Sequence, residues 1–119
     1  MKAHFVNRIV MENADSRDDG CWLLLRALLY WSALLDRMIA VPAGFKTDLA
    51  SVPRWPLAYW ICGGLANEAA VIHDYLYASH LVSRRQADAV LREAAKATGV
   101  DWRRWLMWAA VRCFGWLYW

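Results

Sequence analysis

The sequence predicts an α+β domain, in which a small N-terminal antiparallel sheet and an ordered loop pack on a C-terminal bundle of about three helices. Three observations carry this prediction. Short apolar runs broken by turn residues fill residues 1–42, a Pro- and Gly-rich motif loop occupies 43–64, and helical spacing with capping residues takes over across 65–119. At 119 residues the chain reads as a single domain, 1–119, with room for one core.

Residues 4–10 read as a short strand, and the polar segment from Asn13 to Gly20 as a turn region rich in aspartate. Cys21 to Tyr30 fits either a buried strand or a helix, because Leu23-Leu24-Leu25 suits both. Arg37 to Val41 reads as a strand that Pro42 ends. Between Pro42 and Pro56 three prolines fix φ, while Thr47, Asp48 and Ser51 are placed to cap backbone donors. Leu65 to Leu81 is the first helix. Ser83 opens the second through the capping box Ser83-x-x-Gln86, and Gly99 ends it after Thr98. Asp101 caps the third, which runs to about Phe114. Its packed face is expected to hold Trp102, Trp105, Leu106, Ala109, Val111 and Phe114, with Arg103, Arg104 and Arg112 on the polar side.

Composition narrows the function classes. Hydrophobic residues make up 60% of the chain and nine are tryptophan, so the core is aromatic-heavy or some rings meet a partner or a lipid interface. A net charge of +3 is too small to call for nucleic acid, though it suits an anionic surface. Cys21, Cys62 and Cys113 are widely spaced without a zinc pattern and read as free buried thiols. No apolar run follows Lys2, so no signal peptide is expected, and no stretch is long enough for a spanning helix. The Trp run 102, 105, 108, 116 and 119 reads as core, with Trp116 to Trp119 alternatively a docking tail or interfacial anchor.

The candidate chemistry lies at His73-Asp74, an imidazole and a carboxylate within the apolar run Ala69 to Tyr77. A buried charge is costly unless it is paired or holds a metal. Adjacent side chains on a helix diverge by about 100°, so the pair flanks a cleft rather than meeting at one point. Antiparallel packing of the first two helices brings Asp88 back beside them, where it would hold one ring nitrogen of His73 and fix its tautomer. Tyr77, four residues on, shares the His73 face. The assignment is His73 and Asp88 catalytic, Asp48 and Asp74 metal ligands, and Thr47, Ser51 and Tyr77 supporting. The plain alternatives are a satisfied core histidine, an Asp74 ion pair with Arg84 or Arg112, and an Asp88 flanked by Arg84 and Arg92 on a solvated helix face. His4 and His80 read as structural or solvated.

At these residues the chain resembles the DUF1353 family of phage and prophage proteins. Gly44-Phe45-Lys46-Thr47-Asp48-Leu49-Ala50-Ser51-Val52-Pro53 matches its GFxTDxASxP signature. Residues 69–77 match AAxxHDxLY, Ser83 to Asp88 match SRxxAD, and Val111 to Gly115 resemble VRxFG. The resemblance covers about residues 38–119 and implies a phage or prophage product in a bacterial host, without an activity. The His73-Asp74-x-x-Tyr77 run with a later aspartate is also similar to secreted phospholipase A2. That resemblance implies His73 as base, Asp74 as calcium ligand and Asp88 as orienting carboxylate, although Leu76 stands where that family has a cysteine.

Two functions follow. The favoured one is a phage accessory or virion-associated protein that binds a phage or host protein, with a membrane surface as a further partner and no nucleic acid. The alternative is a small metal-assisted hydrolase, using calcium or zinc, acting on a phospholipid ester or peptidoglycan of the bacterial envelope. The place of action is the host cytoplasm or the virion. A His73 sealed from solvent with only protein partners would exclude hydrolysis.

Overall fold

The computed structural model describes residues 1–13, 22–47, 67–117 and 119. Six short strands precede the helices: β1 His4–Phe5, β2 Met11–Asn13, β3 Trp22–Leu24, β4 Leu28–Ser32, β5 Arg37–Val41 and β6 Lys46–Thr47. They form two antiparallel sheets of three strands, ordered β1-β4-β5 and β2-β3-β6. Helices α1 (Asn67–Ser79), α2 (Arg84–Ala97) and α3 (Arg103–Phe114) follow, and a 3-10 turn, Gly115–Leu117, closes the order. The architecture is the predicted α+β arrangement. No helix among the described residues is long and apolar enough to cross a membrane.

Side-chain chemistry explains where the strands depart from expectation. Residues 4–10 do not make one strand. Asn7 donates to the Ala27 carbonyl and accepts from the Leu29 amide, at 2.8 and 2.9 Å, taking the place of backbone partners. The segment that fitted strand or helix becomes β3 and β4. Alternation along β4 buries Leu28, Tyr30 and Ser32, while Ile39 and Val41 of β5 face the same core. The expected strand at Arg37 to Val41 is β5 itself, joined to β4 by a turn in which Asp36 takes φ 52°. Thr47, expected to cap a loop, instead lies in β6.

The helical half follows its punctuation. The Ser83–Gln86 capping box opens α2, and beyond the C-cap Thr98 the chain reverses at Gly99, φ +99°, a conformation suited to glycine. At α3 the side chain of Asp101 accepts from the Arg103 amide, 3.1 Å, so the expected capping residue does act there. Glu93 of α2 clamps the sheet to the helices. It accepts from the Tyr30 and Ser32 hydroxyls at 2.7 and 2.8 Å and from the Leu34 amide at 2.7 Å.

Two expectations are corrected. The third helix packs through Met107 and Val111, whereas Trp102, Trp105, Leu106 and Trp116 are exposed, so the tryptophan run is largely not core. Cys113 is an exposed free thiol rather than a buried one. Cys21, Cys62, Asp48, Ser51 and the remainder of the motif loop lie outside the described residues.

Candidate functional site

The fold turns Asp88 into a fully buried anion that collects donors from all three helices. The apolar stripe of α2, Ala87, Val90, Leu91, Ala94 and Ala95, faces inward and carries Asp88 with it. His73 Nε2 lies 2.9 Å from Asp88 Oδ1, and the Tyr77 hydroxyl donates to the same oxygen at 2.6 Å. Arg112 of α3 donates to Oδ2 at 2.9 Å, and Arg84 stands 3.6 Å from that oxygen. The antiparallel return of α2 thus brings together His73, Tyr77 and Asp88 as the residue pattern anticipated.

The arginines mark what the sequence left open. Arg84 and Arg112 meet Asp88, not Asp74, and Asp88 is no solvated helix residue. Arg92 turns away, its guanidinium over the Trp105 ring at 4.2 Å. Arg84 also donates to the Val111 and Arg112 carbonyls at the end of α3, at 3.2 and 3.4 Å, so it ties two helices at once. Gly115 sits against this knot. A methyl there would overlap the Tyr77 hydroxyl, which is why the position is glycine although its φ of −62° suits any residue.

Electrostatics follow from burial and donors. Burial pushes the Asp88 carboxyl up, but hydrogen bonds from His73, Tyr77 and Arg112 outweigh it and hold the group below its ordinary value. Tyr77 is raised, first by burial and then by its bond to the Asp88 anion, against a lowering contribution from Arg84. Tyr30 is raised by burial and by Glu93. The sign of the stability response is therefore fixed at both ends of the pH scale. Asp88 stabilises the fold above its ordinary value of 3.8, and this contribution is lost as pH falls through the lowered native value. Tyr77 and Tyr30 remain protonated in the native state above 10.0, where the unfolded chain ionises them, so stability falls as pH rises beyond that point. Urea titrations across the alkaline range should show this decline, with the Tyr77→Phe variant declining less steeply; equal slopes would contradict it.

Because Asp88 is held as an anion, it can only accept, and His73 Nε2 must carry the proton between them. The other ring nitrogen, Nδ1, is buried and has no hydrogen-bond partner among the described residues. His73 is 1% exposed. Among the described residues both parts of the exclusion condition for hydrolysis are met, a ring sealed from solvent and a protein carboxylate as its hydrogen-bond partner. In its neutral form the His73 ring would present a lone pair on Nδ1, backed through the ring by a buried carboxylate. The Tyr77 ring packs against the imidazole with centroids 4.1 Å apart and limits its rotation.

Asp74 diverges from this network and accepts from the Thr47 hydroxyl at 2.5 Å, linking α1 to β6. Asp48 and Ser51, the other loop residues assigned to the site, lie outside the described residues. Among the described residues no three His, Cys, Asp or Glu side chains converge as a metal-binding group. His4 donates from Nδ1 to the Lys2 carbonyl, 2.7 Å, on the surface, and His80 stacks on Trp119 with centroids 3.9 Å apart, so both play structural parts. The contributors that residue patterns missed are Arg112 and Glu93. Arg84 was signalled by its i,i+4 spacing to Asp88, but nothing local to Arg112 tells which carboxylate it meets.

The family model described as "Protein of unknown function (DUF1353)" matches residues 22–111, a span from β3 into α3 that includes His73, Asp74, Asp88 and Arg84. Neither the curated proteins nor the solved structures contain a match.

Proposed function

Since the chain belongs to the DUF1353 family, whose description assigns no activity, we propose a function from its own residues: a small hydrolase with His73 as general base. The observation that carries this reading is the buried Nδ1, without a partner among the described residues, of an imidazole whose Nε2 is held by Asp88. Residue patterns alone favoured a partner-binding role because no catalytic set was complete. An imidazole saturated at both nitrogens would have kept that preference; among the described residues this one is saturated at one, and the reading requires water to reach a ring that is 1% exposed, which the turnover assay decides.

Nδ1 takes a proton from water as the water oxygen adds to the carbonyl carbon of a lipid ester or a peptidoglycan amide. The imidazolium that forms is stabilised through Nε2–H by the Asp88 anion, which keeps its own charge. The proton then passes to the leaving alkoxide, or to the amine nitrogen of an amide, as its bond to the carbonyl carbon breaks, so the ring returns to its starting state. Tyr77 and Arg112 hold Asp88 in place. Asp74 and Asp48 are the carboxylates that would hold a calcium or zinc ion, which would polarise the substrate carbonyl when bound.

A substrate in the bacterial envelope is proposed because the family resemblance implies a phage setting. The test is an assay of the purified chain on phospholipid vesicles for fatty-acid release and on dye-labelled peptidoglycan for solubilised dye, with chelator, calcium and zinc arms. Turnover of one substrate is expected. Folded protein that turns over neither in any arm overturns the reading.

A further inference from the structure

Helix α3 is apolar on two faces, and only one of them is used. Met107 and Val111 pack inward. Trp102, Trp105, Leu106, Ala109, Cys113 and Trp116 are exposed. At 100° per residue these positions fall within an arc of roughly 100°, one continuous stripe. Trp102 and Trp116 are 64% and 63% exposed, and Trp105 49%, which is unusual for rings of this size. From Trp102 to Trp116 the stripe extends about 20 Å along the helix.

Charge surrounds this stripe with one sign. Residues 102–119 contain Arg103, Arg104 and Arg112 and no acidic residue, and of these Arg112 is engaged by Asp88 of α2. Arg92 of α2 lies over the Trp105 and Trp108 rings at 4.2 and 5.0 Å, setting another cation at the border. Asp101 is the nearby acid, and it is taken up by Arg103 at 2.8 Å.

We propose that this stripe docks α3 flat on the interfacial layer of an anionic lipid bilayer. Tryptophan suits that layer because its ring leaves water while its indole N–H finds headgroup oxygens. Arg92 and Arg104, whose guanidiniums lie over the Trp105 ring at 4.2 and 6.0 Å, are the cations placed to reach anionic phosphates beside the immersed rings. A second copy of the same stripe would bring arginines to arginines with no acid on α3 to pair them, which disfavours self-association on this face. The docking stands apart from the chemistry at His73.

The experiment is co-sedimentation of the full chain with vesicles of phosphatidylcholine containing phosphatidylglycerol, and with pure phosphatidylcholine. The wild-type chain should bind the anionic vesicles, more weakly as salt rises. The double variant Trp105→Ser/Trp116→Ser should lose about tenfold or more of that binding, since binding follows the apolar area immersed. Trp116→Ser alone serves if the double variant melts early. Arg104→Gln should weaken binding to anionic vesicles alone, and His73→Gln should bind as wild type. No binding to anionic vesicles, or unchanged binding by the tryptophan variants, overturns the proposal. So does light scattering that shows a dimer abolished by the same variants, which would assign the stripe to a second copy.

Discussion

Replacing Asp88 with alanine is expected to remove about 3–5 kcal/mol of stability, the usual result of deleting one member of a buried ionic network. A domain of this size has roughly 5–15 kcal/mol in total, so the thermal midpoint should fall by about 10–30 °C. The reason is what stays behind. His73 and Tyr77 are buried and would keep donors with no acceptor, while the guanidiniums of Arg84 and Arg112, 22% and 30% exposed, would lose the anion between them and turn only partly to water. Asp88→Asn keeps the shape and one acceptor oxygen, so its loss should be smaller than that of alanine. The Asp101–Arg103 pair gives the contrast. Its contact is short, 2.8 Å, but both groups reach solvent, and Asp101→Ala should leave the melting curve nearly unmoved. Thermal and urea unfolding of the three variants measure this directly. An Asp88→Ala chain as stable as wild type would mean that the carboxylate merely tolerates its place.

Much of this arrangement was legible in the residues, and the parts that were not have a common cause. Helix ends are written locally: the Ser83–Gln86 box and Gly99 bracket α2, and the first helix, expected over 65–81, spans Asn67–Ser79. The β5 strand was readable because Pro42 stops it. The pairing of His73 with Asp88 was readable because a short connection forces the first two helices back on each other. Arg112 was not, because its partner depends on how α3 lands on that pair, and its sequence neighbours say nothing of it. The exposed tryptophans were missed for a related reason. Apolar residues on both sides of α3 satisfy a core-facing reading equally well, and only packing shows that Met107 and Val111 took the inner side. Nor does any local signal distinguish an imidazole with one bonded nitrogen from one with two, although the difference decides between a scaffold and a base.

The substitution His73→Gln separates those two roles. The glutamine amide nitrogen lies close to where Nε2 of the ring stands, so it can donate to Asp88 as His73 does over 2.9 Å. What it cannot offer is a basic lone pair at the Nδ1 position. Stability should therefore change by no more than about 1 kcal/mol, the net worth of an ordinary hydrogen bond retained in altered geometry. Hydrolysis should fall by about 10²–10⁴-fold, the usual contribution of a positioned general base. His73→Ala removes both features and should lose turnover and stability together. The measurement is a pair of numbers for each variant, a turnover rate and a melting midpoint. A glutamine variant that keeps its turnover removes His73 from the chemistry. One whose turnover declines only in step with its melting midpoint reduces the histidine to a strut for Asp88, and the unpartnered nitrogen to a tolerated defect of packing.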